Sequence, residues 1–459
     1  MSEIFIYHDK MKVNRDNNSE ELFSSCGSVL LTNITMSEYL DLECMVYDIT
    51  QEIIMDNILR YSHPKFHEYV IDEITELLFD EWLDCNLVAE DNYDEIYDML
   101  YGIIDDFFDI FENEYPKRSY ICTHPSPKMD NIKEQIDKID KIRNSYQPKQ
   151  RTSEWYEYRH NLITASSVHK LLSSPSLLNS VIYEKCKPIT VHNTNYYVKN
   201  SRQWGNIYEP LSIKIYEQLF HTTVEDFGCI QHPKYSFLGA SPDGINTDLN
   251  SDRYGRMVEV KNIYNRDITG IPKDDYWVQM QIQMETCDLN ECDFIETRFI
   301  EFPSENEFYD NEQKEWKGVI LCFIKKNVNS EENSFYEYLP LDVPLDKSTI
   351  DLWITNCHEQ WKDTHTLYSK HYWYLDEFSC ILVLRNTHWF MAALPKIENT
   401  WKIIEVEKKI GYEHRAAKKR SPINDMYSIK IDNDDNTHVI HNLHVNTKLG
   451  ICLVKLDSA

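Results

Sequence analysis

A mixed-sheet α/β core is the expected architecture, and three patterns in the chain support it. Apolar residues recur at helical spacing both early in the chain and around its middle. Short alternating or apolar runs with strand character follow one another from Val224 to Lys261. A helix-length stretch, Asp275 to Cys287, then separates the strand Arg256 to Lys261 from the strand Phe294 to Phe302, as a crossover connection does.

The 459 residues allow two or three domains. The first, residues 1–115, is expected to be acidic and helical. Its apolar rows are Leu42, Met45, Ile49, Ile53; then Val70, Ile74, Leu77, Leu78, Trp82; then Tyr93, Ile96, Leu100, Ile103, Phe107, Ile110. These predict a small bundle of about three helices. Between Met36 and Glu114 stand 23 acidic and 2 basic residues, a net −21 within the total of −29. The acidity is therefore local and does not exclude a nucleic-acid partner, because phosphate contacts depend on nearby groups and metal ions. The outer face reads most simply as solvated, and alternatively as a mimic of DNA or a dock for a basic partner.

Residues 116–151 read as a linker. Pro116, Pro125, Pro127 and Pro148 punctuate it, nine basic residues oppose four acids, and one short helix is expected from Asn131 to Arg143. The central domain, 152–371, is expected to run helix (Glu154 to Leu172), helix (Glu209 to Phe220), then strands at Val224 to Gln231, Phe237 to Ala240 and Arg256 to Lys261. The crossover helix and the strand Phe294 to Phe302 follow. Strands at Val319 to Ile324 and Phe335 to Leu339 precede a helix from Ile350 to Trp361. The remainder, 372–459, reads as a β-rich extension, from Cys380–Leu384, Trp389-Phe390-Met391 and Trp401–Ile404. Six basic residues and one acid from Lys408 to Arg420 suit either a solvated loop or DNA phosphates.

No apolar run approaches the ~20 residues that cross a bilayer, and Met1-Ser2-Glu3-Ile4-Phe5 has no signal-peptide pattern. Twelve cysteines include no CxxC pair. Reduced thiols in a cytosolic-type compartment are expected.

The chemistry is concentrated in the central domain. Ser241-Pro242-Asp243-Gly244 suits a type I turn. In Val258-Glu259-Val260-Lys261, two valines face a core while the acid and base share the other face. Each element alone has a bland reading, as a turn and as an amphipathic strand. Upstream, Trp155 and Arg159 lie four residues apart, and Thr164-Ala165-Ser166 follows, offering a guanidinium and hydroxyls to a phosphate. Glu209 precedes Pro210, which suits the first turn of a helix, and heads the apolar row Ile213, Tyr216, Phe220. A carboxylate heading such a row needs a cation or donor. Downstream, Tyr276, Gln279 and Gln283 share one helical face.

In this order the motifs resemble those of the YqaJ-type viral recombinases, the phage lambda exonuclease family of the PD-(D/E)xK superfamily, over Ser153 to Trp361. The resemblance implies a restriction-endonuclease-like core and Mg²⁺ as cofactor, two ions, with Mn²⁺ as an alternative. Asp243 and Glu259 would be the central ligands, with the Val260 carbonyl, and Glu209 would serve a second metal. Lys261 would orient or deprotonate the attacking water, with Gln279 and Gln281 nearby. Arg159, Ser166 and Ser241 would hold a 5′-phosphate. Two departures stand out: Asn262-Ile263 replaces a Cys-Pro common in relatives, and a further phosphate-binding arginine falls at Asp267, with Arg266 one position away.

The resemblance further implies a large-DNA-virus source, double-stranded DNA as substrate, and 5′-to-3′ resection for recombination or repair. A single-strand annealing or replication protein is the expected partner, a trimer the expected assembly, and the host cytoplasm or viral factory the expected location. Neither an iron–sulfur cluster nor a membrane partner is expected. A structure-selective endonuclease is the alternative on the same core. A non-cutting scaffold is a third reading, but Glu209, Asp243, Glu259 and Lys261 are all present. Without metal the three carboxylates would repel one another and favour proton uptake, so metal binding is expected to weaken as pH falls.

Overall fold

The computed structural model describes residues 35–124, 132–150, 152–189, 201–326, 334–416, 444–446 and 451–453. Pro125 and Pro127 of the expected linker, and Lys418, Lys419 and Arg420 of the basic run, lie outside them.

Three helices open the described chain: α1 (Met36–Asp56), α2 (Phe66–Asp84) and α3 (Tyr93–Ile110). A capping box starts α1: the Glu38 amide donates to Thr35 Oγ1 at 3.3 Å, and the Thr35 amide donates to Glu38 Oε2 at 2.8 Å. The buried row of α1 is Leu42, Val46, Thr50 and Ile54, so the expected row is rotated by one residue and Met45 is exposed. Counting apolar residues alone missed this because Thr50, whose hydroxyl donates to the Val46 carbonyl at 2.7 Å, is fully buried as a satisfied polar group. On α3 the expected row holds except at Ile110, which is exposed. The bundle shares one continuous core with later elements: Tyr61 stacks on Trp277 with ring centroids 5.9 Å apart.

After β1 (Tyr120–Ile121) and α4 (Ile132–Asn144), the expected helix Glu154–Leu172 is divided into α5 (Ser153–His160), β2 (Ile163–Thr164) and α6 (Ala165–Leu172). Ile163 and Thr164 pair in parallel with Leu238 and Gly239, so tertiary strand pairing overrides helical continuity there. Helix α7 (Pro175–Cys186) follows, and α8 (Ser201–Phe220) starts well before Glu209. Pro210 therefore lies inside α8, where it removes one amide donor without ending the helix.

The expected strand Val224–Gln231 is two strands, β3 (Val224–Glu225) and β4 (Ile230–Gln231), in different sheets. Gly228 between them passes so close to the Pro148 carbonyl that a Cβ would stand 2.5 Å from it. Next come β5 (Leu238–Ala240), β6 (Gly244–Asn246), β7 (Met257–Asn262), α9 (Asp274–Cys287) and β8 (Glu291–Glu301). Then follow α10 (Glu305–Asp310), β9 (Lys317–Lys325), β10 (Ser334–Tyr338), α11 (Lys347–Trp361), β11 (His365–Leu384) and α12 (Thr387–Ile410).

The main sheet has the order β10-β9-β11-β8-β7-β6-β3, with β1 beside β11. Among the described residues of this sheet only the β7–β8 pair is parallel, joined by α9 as crossover, so the expected mixed-sheet α/β core is the observed one. One face of β7 and β8, with Val258, Val260 and Ile295, packs on Tyr208, Leu211 and Ile215 of α8. The opposite face, with Met257 and Phe294, packs with Trp277 and Val278 of α9.

The supposed boundary at 371/372 falls within β11, a single 20-residue strand of the main sheet. Trp389–Met391 and Trp401–Ile404 lie on α12, not on strands. Each apolar cluster is too short to reveal a period. Over the full length, Trp389, Phe390, Ala393, Leu394, Ile397 and Ile404 are buried at helical spacing while Met391 is exposed. Residues 416–459 form a separate unit, whose described strands β12 (His444–Asn446) and β13 (Ile451–Leu453) pair antiparallel.

Candidate active site

The site is built on β7. Its alternation sends Glu259 and Lys261 toward α9, and parallel pairing with β8 sets Glu259 beside Phe294 and Lys261 beside Glu296. Glu259 has 0% exposure. A carboxylate so buried must be satisfied by donors, and three are present. Gln279 Nε2 donates to Oε1 at 2.7 Å, Gln283 Nε2 donates to Oε2 at 2.7 Å, and the Lys261 ammonium donates to Oε1. Gln279 and Gln283 are one helical turn apart on α9 and reach the same side chain.

Gln281 is not part of this group. Two residues from Gln279, it projects about 200° around the helix. Its Nε2 donates to the Leu384 carbonyl at 2.9 Å and its Oε1 accepts from the Asn386 amide at 2.7 Å, tying the end of β11 to the start of α12. Gln283 occupies the position beside Glu259, and the shared face with Gln279 was its signal.

Asp243 reaches the opposite edge of β7. Among the described residues, β6 pairs with β7 only through Gly244–Val258 and Ile245–Met257, and the edge beyond Val258 has no strand partner. There the Val260 amide donates to Asp243 Oδ2 at 2.8 Å. A strand residue's N–H and C=O point to the same side, so the Val260 carbonyl lies along this edge as well. The neighbouring Gly244 lets β3 pack closely on β6: a Cβ would stand 2.2 Å from Val224 Cγ1. Burial, then the charges of Glu259 and Glu209, push the Asp243 carboxyl well above the usual range, against the lowering effects of Lys261 and the Val260 amide. Glu209 of α8 is thus within electrostatic reach of Asp243.

Burial alone would lower the Lys261 pKa, but Glu259 and Asp243 outweigh it and hold the side chain charged. Its Nζ also lies 5.0 Å from the Tyr276 ring centroid. In this arrangement Lys261 is a proton donor and not a free base.

A second group adjoins Ser241. Arg159 stacks 4.3 Å from the Trp155 ring centroid, and its Nη1 donates to Ser241 Oγ at 3.1 Å. Ser241 also accepts at its carbonyl from Gln283 Nε2, 3.2 Å away, so one glutamine links both groups. Ser166, in the first turn of α6, is exposed, and its hydroxyl lies 3.5 Å from Thr164 Oγ1. Sequence reasoning missed Lys185 of α7. Only 8% exposed, it donates from Nζ to the Arg159 carbonyl at 2.7 Å. Burial, then Arg159, push its pKa down to about 8. Burial also holds Arg159 below the usual guanidinium range. Among the described residues neither cation has a carboxylate ion pair, an arrangement suited to an anion.

Arg266 is committed elsewhere. It pairs with Glu296, and its Nη1 donates to the Asp267 carbonyl at 3.1 Å. Glu296 is buried, and its Oε2 has no hydrogen-bond partner among the described residues, so the adjacent guanidinium compensates a costly acid. Arg415 of the C-terminal basic run is likewise held by Glu407, and by Asn179 at 2.9 Å.

Among the described residues, no three His, Cys, Asp or Glu side chains converge at metal-ligating geometry. The donor chemistry nevertheless fits a hard divalent ion: carboxylates and a backbone carbonyl supply only oxygen, and Asp243 carries like-charge repulsion that a cation would relieve.

Residues 154–290, which hold the Glu259–Lys261 site, match the family model described as the YqaJ-like viral recombinase domain. A curated relative, the uncharacterized protein R354 of Acanthamoeba polyphaga mimivirus, is 24% identical over 358 residues, covering 70% of this chain. The match spans 62% of that relative's length. Among solved structures, the chain is similar to an alkaline exonuclease from Laribacter hongkongensis, at 17% identity and TM-score 0.34, covering 56% of this chain and 95% of that one. A phage-related exonuclease from Haemophilus somnus is similar at 14% identity and TM-score 0.31, covering 55% and 96%. Among the described residues, no helix is long and apolar enough to cross a membrane.

Proposed function

We propose that the chain is a Mg²⁺-dependent deoxyribonuclease that resects one strand of duplex DNA from a 5′ end. The observation that carries this reading is the pairing of buried Glu259 with Lys261, braced by Gln279 and Gln283 beside Asp243 at the open edge of β7. Asp243, Glu259, the Val260 carbonyl and Glu209 would hold two divalent ions, which would supply charge neutralisation at the scissile phosphate and activation of water. The protein groups do the rest. Lys261, kept charged, orients the attacking water and shields developing negative charge. Gln279 and Gln283 fix the Glu259 carboxylate. Arg159, Ser166 and Ser241 receive the terminal 5′-phosphate, with Lys185 adding a second positive charge. Arg266, paired with Glu296, is not assigned to this pocket.

Digestion of end-labelled duplexes with 5′-phosphate or 5′-hydroxyl ends, with and without Mg²⁺, tests this reading. Mg²⁺-dependent release from the 5′-phosphate end is expected, with covalently closed circles spared. Cutting of closed circles would make the chain an endonuclease. A trimeric assembly and a single-strand annealing or replication partner belong to the same proposal, and sedimentation with and without DNA tests the assembly.

A further inference from the structure

One pair of cysteines lies apart from the candidate active site. Strand β1 runs antiparallel to β11, with Tyr120 opposite Leu382 and Ile121 opposite Ile381. Cys122, in the turn that follows Ile121, and Cys380, one residue before Ile381 on β11, adjoin the last of these pairs. Their side chains are in contact, and neither is in a disulfide. The adjoining Ile121–Ile381 pair holds the two strands about 4.5–5.5 Å apart at Cα, and a disulfide spans Cα atoms about 4.4–6.8 Å apart.

The surroundings favour reaction. Arg253 Nη2 donates to the Cys122 carbonyl at 3.1 Å, and the same guanidinium pairs with buried Asp293. Contact with Cys380, against burial and aided by Arg253, lowers the Cys122 pKa to about 7. Burial raises that of Cys380 well above the usual thiol range. One thiol is therefore the readier nucleophile and the other stays protonated until a mixed disulfide forms beside it.

We propose that Cys122 and Cys380 form a dithiol that closes to a disulfide by exchange with a small disulfide of the glutathione class, fastening the segment that leaves the helical bundle to β11. The Cys122 thiolate attacks one sulfur of the small disulfide and expels a thiolate, which takes up the proton that Cys122 lost. Cys380 then loses its proton and attacks Cys122 Sγ, expelling the second small thiol, which carries that proton away. Two protein thiols are oxidised and one small disulfide is reduced to two thiols.

The test is peptide mapping of the full chain after incubation with oxidised glutathione, alkylation, and digestion without reduction. A cross-linked peptide pair containing Cys122 and Cys380 is expected, with loss of alkylation at both and its recovery after reductant. Exposed Cys44 and Cys85 report simple adduct formation in the same sample. In Cys122→Ser, Cys380 is expected to remain alkylatable. Free thiols at both positions, or a glutathione adduct on Cys122 without the cross-link, would overturn the proposal. The mapping of the unsubstituted chain decides this even if the variant does not fold.

Discussion

Gln283 donates to Glu259 at 2.7 Å and to the Ser241 carbonyl at 3.2 Å. One side chain thereby couples the carboxylate proposed for metal binding to the turn proposed for phosphate binding. Gln283→Leu should remove both bonds, lowering kcat about 10- to 100-fold, as loss of an outer-shell partner commonly does. Steady-state kinetics on 5′-phosphorylated duplex checks this, with circular dichroism to confirm folding. Unchanged kcat would deny Gln283 a positioning role.

Gln281→Ala should behave differently. It removes the bridge between Leu384 and Asn386, costing about 1–3 kcal/mol. Tm is expected to fall while kcat per folded molecule stays unchanged. A kcat loss matching that of the Gln283 variant would return Gln281 to the site.

Lys261→Ala and Asp243→Ala should each cut cleavage by roughly 10²–10⁴-fold, the range lost with a positioned catalytic group. End-labelled digestion by purified, folded variants is the assay. Full activity in either would sink the proposed active site.

Lys185→Met keeps much of the side-chain length but removes the buried charge next to Arg159. If Lys185 helps hold the terminal phosphate, KM for 5′-phosphate ends should rise and the preference over 5′-hydroxyl ends should shrink. Equal KM increases for both ends would indicate a general packing defect.

Stability should fall on acidification. Burial, then Lys117 and Arg118, lower the pKa of His67 to about 3, while burial, then Arg385, lowers that of His232 to about 4. Below the ordinary value of 6.5, the unfolded chain binds these protons first. The contribution is therefore full above that pH and is lost as pH falls toward the folded values. For His67 the slope is at most about 1.4 kcal/mol per pH unit. Urea denaturation at pH 7, 6 and 5 should show the decline, and His67→Phe should flatten it. An unaltered slope would rule out His67 as a source.

Much of the candidate site was legible in the sequence because its geometry is local. Period-2 alternation gives Glu259 and Lys261 one face, and helical spacing aligns Gln279 with Gln283. A turn that ends in Gly244 brings Asp243 back toward β7. Other features depended on contacts distant in sequence. Helical continuity from Glu154 to Leu172 yielded to the pairing of Ile163 with Leu238, and the C-terminal aromatic clusters became one helix because their full burial pattern outranked short apolar runs. Arg266 stands one position from the expected arginine, yet buried Glu296 claims it. Lys185 belongs to no motif, and only the packing of α7 against the end of α5 brings it to Arg159. Local periodicity orients a side chain relative to its own backbone. Which buried charge receives a partner depends on desolvation, and desolvation arises only when distant segments pack together.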